Sequence, residues 1–244
     1  MISAVGFLSV LLLCGILTVI SYKFELLTIS GSLASFGVGS LIGIFGSINW
    51  LVLLIIFALT GFIVTKYKFE VKRKKGLQEG SKGERTYRNV VANGSVPLMV
   101  ALISFAMGEQ GSDAAGIAYL CAISVAASDT VASEMGVLSS KARLITNLEK
   151  VEAGTNGGVS AYGTAWAFLG ACFASAMGWI VIFPGVFPDA RIFIPAVMGF
   201  VGCNLDSLIG ATLETWGYVK KLGTNILSMA LGTVLGYITL ILVL

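Results

Sequence analysis

Apolar residues run along the chain in long unbroken blocks, without the alternation of a half-buried strand or the one-sided stripe of a soluble amphipathic helix. Eight blocks, 2–22, 26–46, 47–65, 89–107, 114–135, 158–183, 192–213 and 223–244, each supply the roughly 20 residues that a helix needs to cross the hydrocarbon core. Backbone polar groups inside lipid must be satisfied within their own segment. The pattern therefore predicts an all-α fold: a polytopic integral membrane helical bundle of about eight transmembrane helices, one membrane domain over residues 1–244. The second block carries "SGSLASFGVGSLIGIFG", so rich in Gly and Ser that the pattern leaves open whether 26–46 is one continuous span. Gly39, Gly43 and Gly46 read as close-packing contacts between helices. The first block lacks a basic n-region and a small-residue cleavage site, which predicts a retained helix and not a signal peptide.

Composition sharpens this picture. Of the 244 residues 56% are hydrophobic and 12% charged, far from the usual soluble mixture. Histidine is absent, which excludes a His catalytic base, a haem ligand or a zinc triad. Cys14, Cys121, Cys172 and Cys203 fall inside apolar blocks without metal-ligand spacing, as buried thiols do. If the blocks alternate across the bilayer, fifteen of the sixteen Lys and Arg lie on one side and only Arg191 on the other. The positive-inside rule makes that side cytoplasmic and places both termini outside. The basic loop 66–88 holds nine of these charges and reads as a topological anchor attracted to anionic headgroups. The expected setting is a membrane lipid environment with no nucleic-acid partner, and the oligomeric state is open.

With the sides sorted, five polar motifs converge at the basic face. "RNVVANG" (88–94) opens the fourth block, "SDTVASE" (128–134) closes the fifth, and "RLITNLEKVEAGTNGGVSAYGT" (143–164) leads into the sixth. "DSLIGATLET" (206–215) closes the seventh and "TN" (224–225) opens the eighth. Asp129 and Glu134 lie about 140° apart on an ideal helix, so Asp129 shares a face with Ser133 and Glu134 with Thr130. Ionisable groups inside membrane segments are normally turned inward, partnered and functional. Asp206 and Glu214 repeat the situation. Four carboxylates are thus expected to line one pocket, where they would repel one another without cations, and carboxylates with amide and hydroxyl oxygens suit Mg²⁺. "EAGTNGGVS" is expected at a helix start, where Gly154, Gly157 and Gly158 let backbone N–H groups and the helix dipole face an anion, with Thr155 and Asn156 as side-chain donors. Beside Arg88 and Arg143, that combination suggests phosphoryl chemistry.

"ASDTVASEMGVLS", "RLIT" and "GTNGGVSAYGT", preceded by "RNVVANG" and followed by "DSLIGATLE", resemble an integral-membrane family. It includes the plant phytyl-phosphate kinase of vitamin E biosynthesis and archaeal, bacterial and animal relatives. The likeness covers about residues 85–230, and residues 1–70 share only hydrophobicity. It implies a kinase that converts a polyprenyl monophosphate, phytyl or geranylgeranyl, to the diphosphate with a nucleoside triphosphate, CTP or ATP, and Mg²⁺ at the cytoplasmic face. On that reading Asp129, Glu134 and Asp206 are metal or metal-water ligands, with Glu214 a further metal candidate. Arg88 and Arg143 neutralise phosphates. Asn93, Gly154, Thr155, Asn156, Gly157 and Gly158 cradle phosphate, and Asn89 and Asn225 hold headgroup or nucleotide.

Two other functions compete. An ion-coupled transporter also uses intramembrane acids and Gly-interrupted helices, but its site belongs near the midplane between repeats, and the two halves of this chain share no convincing repeat. A non-catalytic lipid-binding membrane protein needs only the basic cluster and the packing glycines, and leaves the four acids unexplained.

Overall fold

The computed structural model describes residues 4–243. Its helices are α1 (Ala4–Lys23), α2 (Ile29–Leu41), α3 (Ile48–Lys66), α4 (Phe69–Lys74), α5 (Tyr87–Ala106), α6 (Asp113–Gly136), α7 (Ala161–Ile182), α8 (Phe193–Ile209) and α9 (Lys221–Val243). All but the short α4 are long and apolar enough to cross a bilayer, eight spans among the described residues. Each falls on one of the eight apolar blocks to within a few residues. The second block is one continuous span, because α2 runs directly into a π-helical turn, Ile42–Gly46. Its glycines let neighbours in: a Cβ on Gly43 would stand 2.7 Å from Val10 Cγ1 and 3.2 Å from Leu51 Cδ2.

α6 is the axis of the bundle. Its span is 89% buried, against 17–39% for the other seven, so helices surround it on every side. Its composition suits the position: Ala, Ser and Gly make up half of it and let neighbours approach closely, while Ile117, Tyr119, Leu120 and Ile123 bury their bulk among the surrounding helices. The outer helices instead expose Leu8, Leu12, Ile63, Ile180 and Leu242. Lipid tails are as apolar as leucine, so helices associate here through close packing. Glycines on α7, α8 and α9 receive the side chains of α6: a Cβ on Gly178 would lie 2.0 Å from Leu120 Cδ1, and one on Gly202 2.5 Å from Val125 Cγ2. Gly178→Ala is expected to destabilise the bundle by about 1–3 kcal/mol through overpacking. Gly15→Ala, with nothing within 4 Å of the added carbon, is the neutral control. Thermal unfolding of the two variants in detergent checks the contrast.

The loops at one end carry almost all the basic residues, and several of them close helix ends. Lys68 takes a left-handed backbone, φ 49°, that folds α4 back under α3. The fully buried Lys72 then donates to the terminal carbonyls of α3, Val64 O at 2.7 Å and Thr65 O at 3.2 Å. Lys75 reaches Val137 O at 3.0 Å beyond the end of α6. Cations at helix C-termini satisfy orphan carbonyls and oppose the dipole. The basic loop is therefore built into the fold, and is more than the surface anchor that its charge predicts. At the opposite end Arg191 is bound by Asp113 at 2.6 Å and Asp189 at 2.8 Å, closing α6 against α8.

One element was invisible in the apolar pattern. Between α6 and α7 the chain forms a small antiparallel sheet in the order β2-β1-β3, from β1 (Ala142–Leu144), β2 (Lys150–Val151) and β3 (Gly158–Val159). Arg143 pairs with Lys150 on one side and Val159 on the other. This sheet fixes both ends of the Gly-rich loop 152–157.

Candidate functional site

A polar pocket at the basic end, enclosing about 1130 Å³ including its mouth, is lined by α6, α8, the start of α9 and the Gly-rich loop. Asp129 and Ser133 face it from α6, as their shared helical face predicts. The carboxyl of Asp129 adjoins that of Asp206 on α8, with Lys221 beside both. Asp206 is buried, and accepts from Lys221 Nζ at 3.0 Å and from Ser228 Oγ at 3.2 Å. Two adjoining carboxylates repel unless a cation or a shared proton lies between them. A single lysine balances one of the two charges.

Gly154, Thr155, Asn156, Gly157 and Gly158 form the facing wall. Gly157 takes φ +72°, and a Cβ there would collide with Ala211 at 2.3 Å, so only glycine lets the loop settle on the π-helical turn Gly210–Glu214 that ends α8. Among the described residues, the backbone N–H groups of Asn156 and Gly157 have no acceptor. Successive free N–H groups beside a left-handed glycine form an anion-binding concavity. The expected helix start is corrected in detail: α7 begins only at Ala161, behind β3, and Ser160 Oγ caps it by accepting from Gly163 N at 3.0 Å. The loop presents its own amides, without the α7 dipole behind them.

The expectation that four carboxylates share this pocket is also corrected. Glu134 points the other way around α6, where Oε2 accepts from Lys72 Nζ at 2.6 Å and Oε1 from Thr65 Oγ1 at 2.8 Å. Both oxygens are committed, Oε2 to a buried ion pair and Oε1 to a hydroxyl, and together they lock α6 to α3 and α4. Glu214 stands at the rim, taking hydrogen bonds from Asn156 Nδ2 at 2.9 Å and Thr224 Oγ1 at 3.0 Å, so it ties the Gly-rich loop to α9. Among the described residues no three His, Cys, Asp or Glu converge as a metal cage. Two carboxylates still fit Mg²⁺, which is commonly held by one or two carboxylates plus substrate phosphates and water.

The remaining predicted residues lie outside the pocket. Arg143 is exposed on β1 and donates to Leu148 O at 2.7 Å, closing its own hairpin. Arg88 is exposed on α5 over the Tyr87 ring. Asn89 completes the capping box of α5 by accepting from Thr86 N at 2.9 Å, and its amide donates to Glu79. Asn93 lines a separate apolar cleft. Asn225 lies on α9 with a buried Oδ1 that has no partner among the described residues. The cations whose fields act on Asp129 are instead Lys221 and Arg85. Arg85 is buried, donates to Thr65 Oγ1 at 3.1 Å, and lies in the fields of Glu134, Glu79 and Asp129. Burial pushes the Glu79 carboxyl above its usual range, with Arg85 opposing. Nothing in "KYKFEVKRKK" separates Lys72 from its neighbours, and Lys221 looks like a loop charge. Only the folded arrangement distinguishes them.

Fold and site together define a multi-pass integral membrane protein with a polar pocket at one end of its bundle. The chain belongs to the DUF92 family of integral membrane proteins, whose model matches residues 12–234. It is 33% identical to an uncharacterized membrane protein of Methanocaldococcus jannaschii over 232 residues, 94% of this chain and 92% of the relative. It is 30% identical to an uncharacterized membrane protein of Synechocystis, over 78% of this chain and 74% of the relative. It is also 29% identical to the chloroplastic protein VTE6 of Arabidopsis thaliana, over 85% of this chain and 63% of that protein. No solved structure matches it. The motifs at 88–94, 128–164 and 206–214 pointed to the same family.

Proposed function

We propose that the protein is a polyprenyl-phosphate kinase, transferring the γ-phosphoryl group of a nucleoside triphosphate to a lipid monophosphate. The observation that carries this reading is the Asp129–Asp206–Lys221 cluster facing the free amides of Asn156 and Gly157. Opposed acidic and donor walls suit phosphate groups and the cation that accompanies them. Mg²⁺ held through Asp129 and Asp206 would neutralise phosphate charge there. The residues of the chain do the rest. Lys221 adds a positive charge, the Asn156 and Gly157 amides orient phosphate oxygens, and Glu214 keeps the loop in place through Asn156. A lipid phosphate is largely dianionic near neutral pH, its second pKa being about 6, so its oxygen needs no protein base. That oxygen bonds to the γ-phosphorus, the bridging P–O bond breaks, and the nucleoside diphosphate leaves with the electron pair. Alignment and charge neutralisation carry most of the catalysis in such transfers.

Incubating purified protein with phytyl or geranylgeranyl monophosphate, Mg²⁺ and CTP or ATP is expected to yield the lipid diphosphate. A folded preparation that makes none with either donor or either chain rules the proposal out. The same reading places the pocket on the cytoplasmic side. Lys74→Cys, on the exposed face of α4, is then expected to react with an impermeant maleimide only from the cytoplasm. Labelling from outside intact cells would reverse the orientation.

A further inference from the structure

A second cavity lies between α1, α2, α3 and α5, away from the carboxylate pocket. It encloses about 1020 Å³ including its mouth, and its walls are almost wholly apolar, among them Cys14, Leu17, Val38, Leu54 and Ala58. Along α3 it is lined from Leu51 to Phe62, about 16 Å at ~1.5 Å per residue. That is roughly half the ~30 Å thickness of a bilayer hydrocarbon core, the depth of one leaflet. At the basic end the character of the lining changes to Arg85, Asn89 and Asn93.

Arg85 is the unusual member. Its backbone is clamped to the α1–α2 turn, N donating to Leu26 O and O accepting from Thr28 N, each at 3.0 Å. Its guanidinium lies against the α3 backbone at Gly61 and over the Phe62 ring. Among the described residues only Nη2 finds acceptors, Thr65 Oγ1 at 3.1 Å and Gly61 O at 3.4 Å, while Nε is buried with none. No carboxylate among the described residues forms an ion pair with it, because Glu134 is taken by Lys72 and Glu79 faces Asn89. A buried guanidinium with an unused donor is costly unless an anion completes it, and its flat fork matches phosphate. An apolar cleft one leaflet deep that ends on such a group has the two halves of a receptor for a single-chain lipid phosphate.

We infer that this cleft holds the hydrocarbon chain of a single-chain phosphorylated lipid, and that Arg85, with Asn89 and Asn93, receives its phosphate. The kinase reading supplies only the identity of that lipid, a prenyl monophosphate. The phosphate end of the cleft, at Arg85 and Asn89, lies at the basic end of the bundle, as the carboxylate pocket does.

The test needs no nucleotide and no Mg²⁺. Wild-type protein in detergent is incubated with a geranylgeranyl monophosphate bearing a diazirine at the chain end, irradiated and mapped by peptide sequencing. Crosslinks are expected on α1, α2 and α3 around Cys14, Val38 and Leu51, and crosslinks confined to α7–α9 would overturn the proposal. Equilibrium binding then compares the unmodified monophosphate with geranylgeraniol. The wild type is expected to favour the phosphate by about tenfold or more, the worth of a hydrogen-bonded charge. Arg85→Gln should bring that ratio near one while Arg85→Lys keeps part of it, and an unchanged ratio in Arg85→Gln contradicts the assignment. Ala58→Phe should weaken phosphate and alcohol alike. Two-chain phosphatidic acid should compete poorly, and equal competition would make the site one for bulk lipid and overturn the single-chain proposal. Lipid bound in the cleft without diphosphate formation would sink the kinase reading alone. Diphosphate formed by a protein whose crosslinks lie elsewhere would sink the cleft alone.

Discussion

Asp206→Asn is expected to lower lipid diphosphate formation by about 10²–10³-fold, the usual cost of removing one electrostatic group from a phosphoryl or acyl transfer site, while the bundle stays as stable as before. Asparagine has the same shape and still accepts from Ser228 Oγ, which lies 3.2 Å from Asp206. Lys221, left without its partner, is solvent-exposed and loses little. The change also relieves repulsion between adjoining carboxylates, so Asp206→Asn and Asp129→Asn should each unfold at the same temperature as the parent or higher. Functional sites often carry such a stability cost. Thermal unfolding in detergent, measured beside the diphosphate assay, checks both halves. A loss of turnover matched by a large fall in unfolding temperature would make the pair structural.

Lys72→Met is expected to behave in the opposite way. It removes the fully buried cation of the pair and strands Glu134, whose side chain is 10% exposed, at a cost of about 3–5 kcal/mol. Two carbonyls at the end of α3 lose their donor at the same time. The double variant Lys72→Met/Glu134→Leu should recover much of the loss, because a stranded charge costs more than an apolar pair. A double variant no more stable than Lys72→Met would show that the carbonyl caps, and not the ion pair, carry the effect. The two acids of "SDTVASE" thus separate into different jobs. Asp129 faces an open pocket, and Glu134 holds helices together.

Much of this was legible in the chain itself. Block length and hydropathy located every span, because a helix that must cross lipid leaves little choice of register or extent. The convergence of polar motifs at one end followed from alternation of the spans. The 140° between Asp129 and Glu134 already implied different neighbours, yet only the fold shows that Lys72 waits on the far side. Asp206 and Glu214 were harder to place, since the π-helical turn 210–214 changes the angular register that an ideal helix would give. The sheet β1–β3 left no trace because strands of two or three residues are too short to alternate. Arg143 and Arg88 looked like phosphate ligands by type and position. Sequence cannot tell a guanidinium that closes its own hairpin from one that reaches a pocket. Lys221 and Arg85, which do meet the acids or their fields, were hidden among loop charges.

The most direct measurement follows the label from γ-³²P nucleotide in protein reconstituted into nanodiscs with a prenyl monophosphate and Mg²⁺. The account predicts label in the lipid diphosphate, one nucleoside diphosphate released for each, and loss of both in Asp206→Asn. Nucleotide hydrolysis without labelled lipid, or labelled lipid formed equally well by Asp206→Asn, would contradict it.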